Sequence, residues 1–279
     1  MMWTVVLIIC VLLGAVFLYF KVPYSPTKVQ FNNMINERIS ITATNAGFFT
    51  EVEIADLPLP VQKYFHYCGY LGTPKMLYMK ASLVSVDFVM PDGKKIKIDY
   101  KQANFVTKPE RFAYISFSKH GMPFEGLDSF VDGKGSLKGI SAKDMVMFNQ
   151  QGKKIDQACL VTWLAESMMF PNAVLQDFLT WEYVDDTHVK ASISWQGITA
   201  EGIFTFDENG ELKYFRTKDR VATDMGGSER IAEWSAAYSE YHLVDGILQP
   251  KVIQSIWHHP EGDCVYFNEN KAPVSISFK

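Results

Sequence analysis

The chain has 279 residues, of which 48% are hydrophobic and 21% are charged, and its formal net charge at pH 7 is -4. This is the composition of an ordinary globular protein, and the length suits one large domain or two small ones. Nucleic-acid-binding domains concentrate positive charge to hold phosphates, so this mildly acidic chain is expected to bind no nucleic acid.

The first twenty residues form an apolar segment without a charged side chain. As a helix, this segment would be roughly 30 Å long, which matches the hydrocarbon core of a bilayer. The alternative, a cleaved signal peptide, needs a basic start and small residues at a cleavage site, whereas Lys21 is the first basic residue here. We therefore predict a single-pass membrane protein with a transmembrane anchor over residues 1–21. Lys21, Lys28 and Arg38 favour a cytoplasmic body, but so few charges leave the side of the soluble domain open.

The segment that follows the anchor, residues 22–56, is interpreted as a juxtamembrane linker that contains Pro23 and Pro26. After it, apolar side chains at positions 61, 64, 65 and 68 lie on one face of a helix. A helix is therefore predicted to begin at the prolines of residues 57–60, which a first helical turn tolerates, and to end near Gly69.

From Met76 onward the apolar residues follow a period of two, which indicates β-strands. The dipeptide Asn209-Gly210 is the strongest hairpin signal in the chain. A helical insertion near residues 156–178, divided by Pro171, interrupts the series. Strands are predicted at 76–90, 95–100, 113–118, 127–131, 180–184, 188–195, 199–206, 211–217, 233–244, 249–258, 264–267 and 273–278.

The predicted fold class is mainly β (α+β), with an N-terminal transmembrane helix followed by a domain over residues 57–279. That domain is expected to be a large curved antiparallel sheet or half-barrel, because so many consecutive antiparallel strands must curl or close. We expect the helices to cover its concave face. An apolar hollow between a sheet and its covering helices is a usual place for a ligand.

Three segments resemble a family of bacterial membrane-anchored proteins of unknown function. They are LPLPVQKYF at 57–65, WLAE at 163–166 with Phe170-Pro171, and the strand of Trp181 leading to FTFDENG at 204–210. The resemblance covers the chain from Leu57 onward and implies no activity. The architecture is also similar to lipoprotein-carrier folds, whose curved sheet wraps helices and holds acyl chains; a likeness of fold does not settle function.

Glu166 is a single carboxylate among Trp163, Met169 and Phe170. A buried ionised carboxylate is costly unless it is paired or hydrogen-bonded. Glu166 is therefore expected to pair with an arginine from the sheet, such as Arg111 or Arg216, to bond free backbone amides near Pro171, or to contact a ligand. A third interpretation is a general acid or base whose pKa the apolar surroundings raise. The predicted ligand-binding residues are Glu166, Trp163, Met169, Phe170, Arg216 and Asp128.

No metal, cofactor or assigned catalytic residue is predicted from the remaining motifs. His258 and His259 are adjacent on a predicted strand and point to opposite faces, so they cannot share one metal ion without a bulge. The sequence Gly133-Lys134-Gly135-Ser136 lacks the rest of a phosphate-binding loop. Cys68, Cys159 and Cys264 are far apart and contain no CxxC pair.

The leading functional hypothesis is a membrane-anchored, non-enzymatic binding protein for an apolar ligand, a lipid or acyl chain, held between sheet and helices. One alternative is an enzyme for a membrane-derived or small polar substrate, with Glu166 as acid or base beside His120 or Asp128. Another is a scaffold that recruits a second membrane protein, which requires a filled interior and an exposed apolar patch.

Overall fold

The structure is a computed structural model of the chain, and it describes residues 2–22, 24–42, 46–90, 92–119, 121–223, 229–270 and 275–278. Its α-helices are α1 Met2–Lys21, α2 Pro26–Ile41, α3 Glu51–Ile54, α4 Leu59–Cys68 and α5 Lys153–Glu166. Two short 3-10 helices, Ser167–Met169 and Pro171–Leu175, follow α5. The helix predicted to begin at residues 57–60 is therefore present, and so is the helical insertion predicted near residues 156–178.

The strands extend from residue 78 to residue 278. They are β1 Tyr78–Val89, β2 Lys95–Phe105, β3 Arg111–Lys119, β4 Met122–Val131, β5 Lys134–Ser141, β6 Met145–Gln151, β7 Leu179–Tyr183, β8 His188–Trp195, β9 Ile198–Phe206, β10 Leu212–Thr217, β11 Val221–Thr223, β12 Glu229–Ile231, β13 Glu233–Val244, β14 Ile247–His259, β15 Gly262–Glu269 and β16 Ser275–Phe278. The strands β5, β6, β11 and β12 have no counterpart among the predicted strands.

Fourteen of these strands form one antiparallel sheet, in the order β6-β5-β4-β3-β2-β1-β15-β14-β13-β10-β9-β8-β7, with β16 paired to β1. The strands β11 and β12 form a separate two-stranded ribbon. The prediction of a mainly β fold with a large antiparallel sheet is confirmed.

The sheet curves around a helical cover, which is the chain between its two outer strands. The outer strands β6 and β7 are joined through α5 and the two 3-10 helices. The helix α5 packs against β4, β5 and β6 near one edge and against β9 near the other. Its apolar face is completely buried, as the side chains of Leu160, Trp163 and Leu164 show. The main core of the protein therefore lies between the concave face of the sheet and this cover.

The segment interpreted as a linker contains an ordered helix, so that interpretation needs correction. Phe31 and Ile35 of α2 are buried on the convex face of the sheet. They belong to a second apolar cluster, which includes Phe105, Phe112 and Tyr114. Arg38, near the end of α2, lies 2.8 Å from the carboxylate of the buried Glu110. This helix was not predicted because its apolar stripe is narrow and most of its other residues are polar.

The helix α1 is long and apolar enough to cross a membrane over Met2–Phe20, with a mean hydropathy of 2.6. None of the side chains that the structure describes in this part of the helix is buried against the rest of the protein. A signal sequence at the same place would satisfy the same criteria of length and composition.

Candidate functional site

The candidate site is built around Glu166, the last residue of α5. Its Oε2 atom accepts hydrogen bonds from Arg111 Nε at 2.9 Å and from Asn104 Nδ2 at 2.7 Å. The same guanidinium donates from Nη1 to Asp128 Oδ2 at 2.7 Å and from Nη2 to the hydroxyl of Tyr100. We call these five residues the polar cluster. Of the two arginines proposed as partners of Glu166, Arg111 is the one that the structure places beside it.

Strand alternation explains why these side chains meet. Asn104 and Arg111 are register partners on β2 and β3, so their side chains point to the same face of the sheet. Tyr100 lies on that face because it is four residues before Asn104 on the same strand. Asp128 on β4 faces Ala113, two residues along β3 from Arg111. The three strands therefore present their polar groups to the end of α5.

The polar cluster contains two carboxylates and one guanidinium. The Arg111 side chain is only 4% exposed, while those of Glu166 and Asp128 are 14% and 22% exposed. Burial alone would lower the pKa of Arg111, but Glu166, Tyr100 and Asp128 raise it well above its ordinary value. Burial, opposed by Arg111, also raises the pKa of the Tyr100 hydroxyl. Arg111 is therefore charged and Tyr100 neutral at physiological pH, and the pair of acids keeps the guanidinium in place.

Cys159 of α5 borders the polar cluster, with its Sγ 3.7 Å from Asp128 Oδ1. Burial first, and then the charge of Asp128, raise the pKa of this thiol well above its ordinary value. Since the thiolate is the nucleophilic form of cysteine, Cys159 is a packing residue and a weak donor.

The three apolar residues predicted to bind a ligand lie inside the core. Trp163 and Phe170 are fully buried and Met169 is 5% exposed. Trp163 packs edge-on against Phe170 and donates from Nε1 to the carbonyl of Phe105 at 3.0 Å. The expected hollow beneath the helices is therefore filled by these side chains.

The prediction that Arg216 belongs to this site was wrong. Arg216 lies on the convex face of β10, because its neighbours Phe215 and Thr217 point to the core. Its Nη1 atom lies 3.3 Å from Glu233 Oε1, and half of its side chain is exposed. It borders a groove of about 660 Å³ on the outer face of β8 to β10, and another groove of about 570 Å³ lies between α2 and the start of α5. The residues of the polar cluster line neither groove.

Beside the polar cluster, the concave face carries apolar side chains that α5 leaves half-buried. The register of β1 to β4 and the ring contacts of β15 place them on the same face as Tyr100. We call this surface the concave wall, and its residues are Phe88, Ile96, Ile115, Phe117, Phe124, Trp257, Tyr266 and Phe267.

Ring contacts connect the concave wall to the polar cluster. The Tyr100 ring meets Phe267 edge-on with centroids 5.3 Å apart, and Phe88 meets Tyr266 at 5.9 Å. Phe117 and Phe124 stack at 5.1 Å with nearly parallel planes. The wall was missed in the sequence analysis, although the alternation of Ile96, Ile98 and Tyr100 carries its signal.

A third arrangement has the connectivity of a catalytic triad. Ser235 Oγ lies 2.8 Å from His258 Nε2, and His258 Nδ1 lies 2.8 Å from Asp263 Oδ1. Ser235 is completely buried within β13, so a substrate carbonyl cannot reach its oxygen as the triad mechanism requires. The three residues therefore form a structural hydrogen-bonded chain on the sheet.

Within the residues that the structure describes, His, Cys, Asp and Glu side chains form no group of three that could hold a metal ion. His120, considered beside Glu166 as a catalytic partner, lies outside the described residues.

Residues 47–269 match the model of DUF6544, a family of unknown function, and the chain belongs to that family. This match contains all three segments on which the resemblance was based. A search of curated proteins finds no match. Among solved structures, the crystal structure of a LolA superfamily protein from Nitrosomonas europaea is similar, with 8% sequence identity and a TM-score of 0.35. The alignment covers 79% of this chain and 92% of that one.

Proposed function

We propose that this member of the DUF6544 family is a membrane-anchored protein that binds an apolar ligand, an acyl chain of a lipid, on its concave wall. The single observation that carries the proposal is the wall itself, a continuous set of half-buried aromatic and aliphatic side chains on a curved sheet. Exposed apolar surface of this kind is characteristic of ligand grooves and interaction sites.

The free energy that the wall can contribute to binding follows from the methylene groups it removes from water. Each methylene group removed from water contributes about 0.8 kcal/mol. About ten methylenes against the wall would contribute roughly 8 kcal/mol. The cost of association, about 4 kcal/mol or more, reduces this to millimolar affinity or weaker, so longer chains and contacts to the polar head must add to it. Because Trp163 and Phe170 fill the space behind α5, the proposed ligand lies against the wall and leaves the cover in place.

The polar cluster is proposed to do two things. Glu166, held by Arg111 and Asn104, fixes the end of α5 over the sheet. Asp128 is the most exposed acid of the cluster, and its Oδ1 atom has a thiol as its neighbour. It is therefore the group that would accept a hydrogen bond from a polar head, an amine or hydroxyl, at the end of the chain.

The proposed anchor is residues 1–21, with the remaining helices and the sheet as the body. An anchored binding protein remains beside the membrane that supplies its ligand, and the body need only reach the bilayer surface.

The proposal is tested with cis-parinaric acid, a fluorescent fatty acid that accepts excitation energy from tryptophan, added to the full chain in nanodiscs. Trp3→Phe removes the donor within the anchor, so the remaining saturable transfer reports on donors such as Trp257 in the wall. Ile115→Glu places a charge in the wall and should abolish that saturable transfer.

Leu243→Glu is the matched control, because Leu243 is 68% exposed at the far end of β13 and contributes nothing to the wall. It should leave the transfer unchanged. Thermal unfolding of both variants establishes that they are folded. Equal transfer in folded Ile115→Glu and Leu243→Glu would overturn the proposal.

A further inference from the structure

The loops that join β1 to β2, β3 to β4 and β5 to β6 lie at one end of the sheet, because consecutive antiparallel strands turn at alternate ends. We call this the hairpin end. Lys143, in the β5–β6 loop, donates to the carbonyl of Val22 at 2.7 Å and lies over the Tyr19 ring at 4.8 Å. Asp144 accepts a hydrogen bond from the hydroxyl of Tyr19. The C-terminal end of α1 is therefore bonded directly to this loop.

The β5–β6 loop has a conformation that its sequence does not favour. Ala142 and Lys143 have φ angles of 51° and 74°, in the left-handed region that side-chain-bearing residues rarely adopt. Such strain persists where surrounding contacts hold it. A tight hairpin turn requires positive φ angles, and the contacts that Lys143 makes with the end of α1 add to those that hold this loop.

An exposed apolar run begins directly after this loop. The run comprises Met145, Val146 and Met147 of β6, which are 56%, 50% and 59% exposed. Met122, the first residue of β4, is 40% exposed. Ser141 Oγ lies 3.4 Å from Met122 Sδ, which places Met122 beside the same loop. The strand β6 is the outer strand of the sheet, and exposed apolar outer strands promote aggregation unless something covers them.

We propose that the surface of the bilayer covers this patch, so that the hairpin end rests on the membrane that α1 crosses. Strands rise about 3.3 Å per residue, so Met145 to Met147 lie within roughly 10 Å of Asp144 along β6. The interfacial layer on each side of the hydrocarbon core is about 5 to 7 Å thick. A run that starts at the exit point of the span is therefore within reach of the lipid headgroups.

This inference rests on the proposed anchor and extends the proposed function. The concave-wall residues Phe88, Ile96, Phe117 and Phe124 lie in the parts of β1 to β4 nearest the hairpin end. With that end on the bilayer, an acyl chain could pass from the lipid to the wall over a short distance. The docked orientation thus provides the route by which the ligand enters.

The test uses the full chain in nanodiscs with an environment-sensitive NBD label on one cysteine at a time. Cys10 and Cys264 are changed to serine as needed, and the buried Cys68 and Cys159 remain. Labels are placed at Met147→Cys, at Leu243→Cys as a matched exposed control, and at native Cys10 in α1. Quenching is measured with brominated phospholipid and with aqueous iodide.

Docking predicts that brominated lipid quenches the labels at 147 and 10, whereas only iodide quenches the label at 243. A label at 147 that iodide alone quenches would overturn the proposal while leaving the anchor intact, provided that the label at 10 reports lipid. Protection of 147 from both quenchers would also overturn it, in favour of a second copy or another protein on β6. If brominated lipid fails to quench the label at 10, the anchor itself is refuted.

Discussion

The two halves of the concave face differ in how completely their apolar side chains are buried. In the covered half, beneath α5, apolar side chains such as Leu160 and Trp163 are fully buried and the charged groups are paired. In the open half, side chains of the same chemistry, such as Ile96 and Phe117, are only partly buried. One sheet therefore carries both a fully buried core and an apolar surface that is still partly accessible to solvent.

The difference separates stability from function. Burial that is complete in the free protein contributes to folding, whereas burial that is incomplete can contribute to the binding of something else. The polar cluster lies at the border between the halves. It ties the cover to the sheet on one side and presents Asp128 on the other.

The largest expected effect is on the covered half, when Arg111 is replaced by Met. The substitution leaves Glu166 and Asp128 without their guanidinium, and breaking a buried ion pair costs about 3 to 5 kcal/mol in the free energy of unfolding. The matched variant Arg216→Met removes an exposed pair and should cost less than about 1 kcal/mol. Urea unfolding of the full chain in nanodiscs, followed by tryptophan fluorescence, compares the two. Equal losses would show that the polar cluster does not hold the cover.

A smaller contrast is expected between truncations in the two halves. Leu160→Ala creates a cavity in the covered half and should cost about 2 to 5 kcal/mol in the free energy of unfolding. Ile96→Ala removes a half-exposed side chain and should cost roughly half as much, because less surface returns to water. In the parinaric-acid titration the order should reverse, with Ile96→Ala binding more weakly than Leu160→Ala. The same order in both measurements would contradict the division of roles.

The smallest effect concerns thiol reactivity and leaves stability unchanged. Burial raises the pKa of the thiols of Cys68 and Cys159, so both should resist N-ethylmaleimide at pH 8 in the native protein. Cys264 is more accessible than these two buried cysteines, so it should react. It is the register partner of Trp257 across β14 and β15 and therefore lies beside the wall. Adding oleate should slow its modification if the wall is occupied. Mass spectrometry of tryptic peptides measures all three sites, and rapid modification of native Cys159 would show that the cover opens.

The sequence predicted much of this fold because its signals are local. Alternating residues and turn dipeptides located most strands, and the apolar face ending at Gly69 located α4. The helix α2 was missed because its apolar stripe is narrow: its buried residues are only Thr27, Phe31 and Ile35. Its stability comes from the convex face of the sheet, which no pattern within the helix reveals.

The candidate site was only half predictable for a related reason. An acid among apolar residues required a partner, so Glu166 and a sheet arginine followed from chemistry. Choosing Arg111 over Arg216 required the strand register, which places one on the concave and the other on the convex face. The wall combines residues from β1 to β4 and from β14 and β15, so only the order of strands brings it together.

The most direct test of the central claim is photo-crosslinking of the full chain in nanodiscs with a diazirine-bearing fatty acid, followed by peptide mapping. The anchor peptide serves as the internal positive control for contact with lipid. We predict that excess oleate competes with labelling of the peptides that contain Ile115, Trp257 and Tyr266, and that labelling is lost in Ile115→Glu but retained in Leu243→Glu. Labelling confined to α1, with the wall peptides unmodified, would contradict the account.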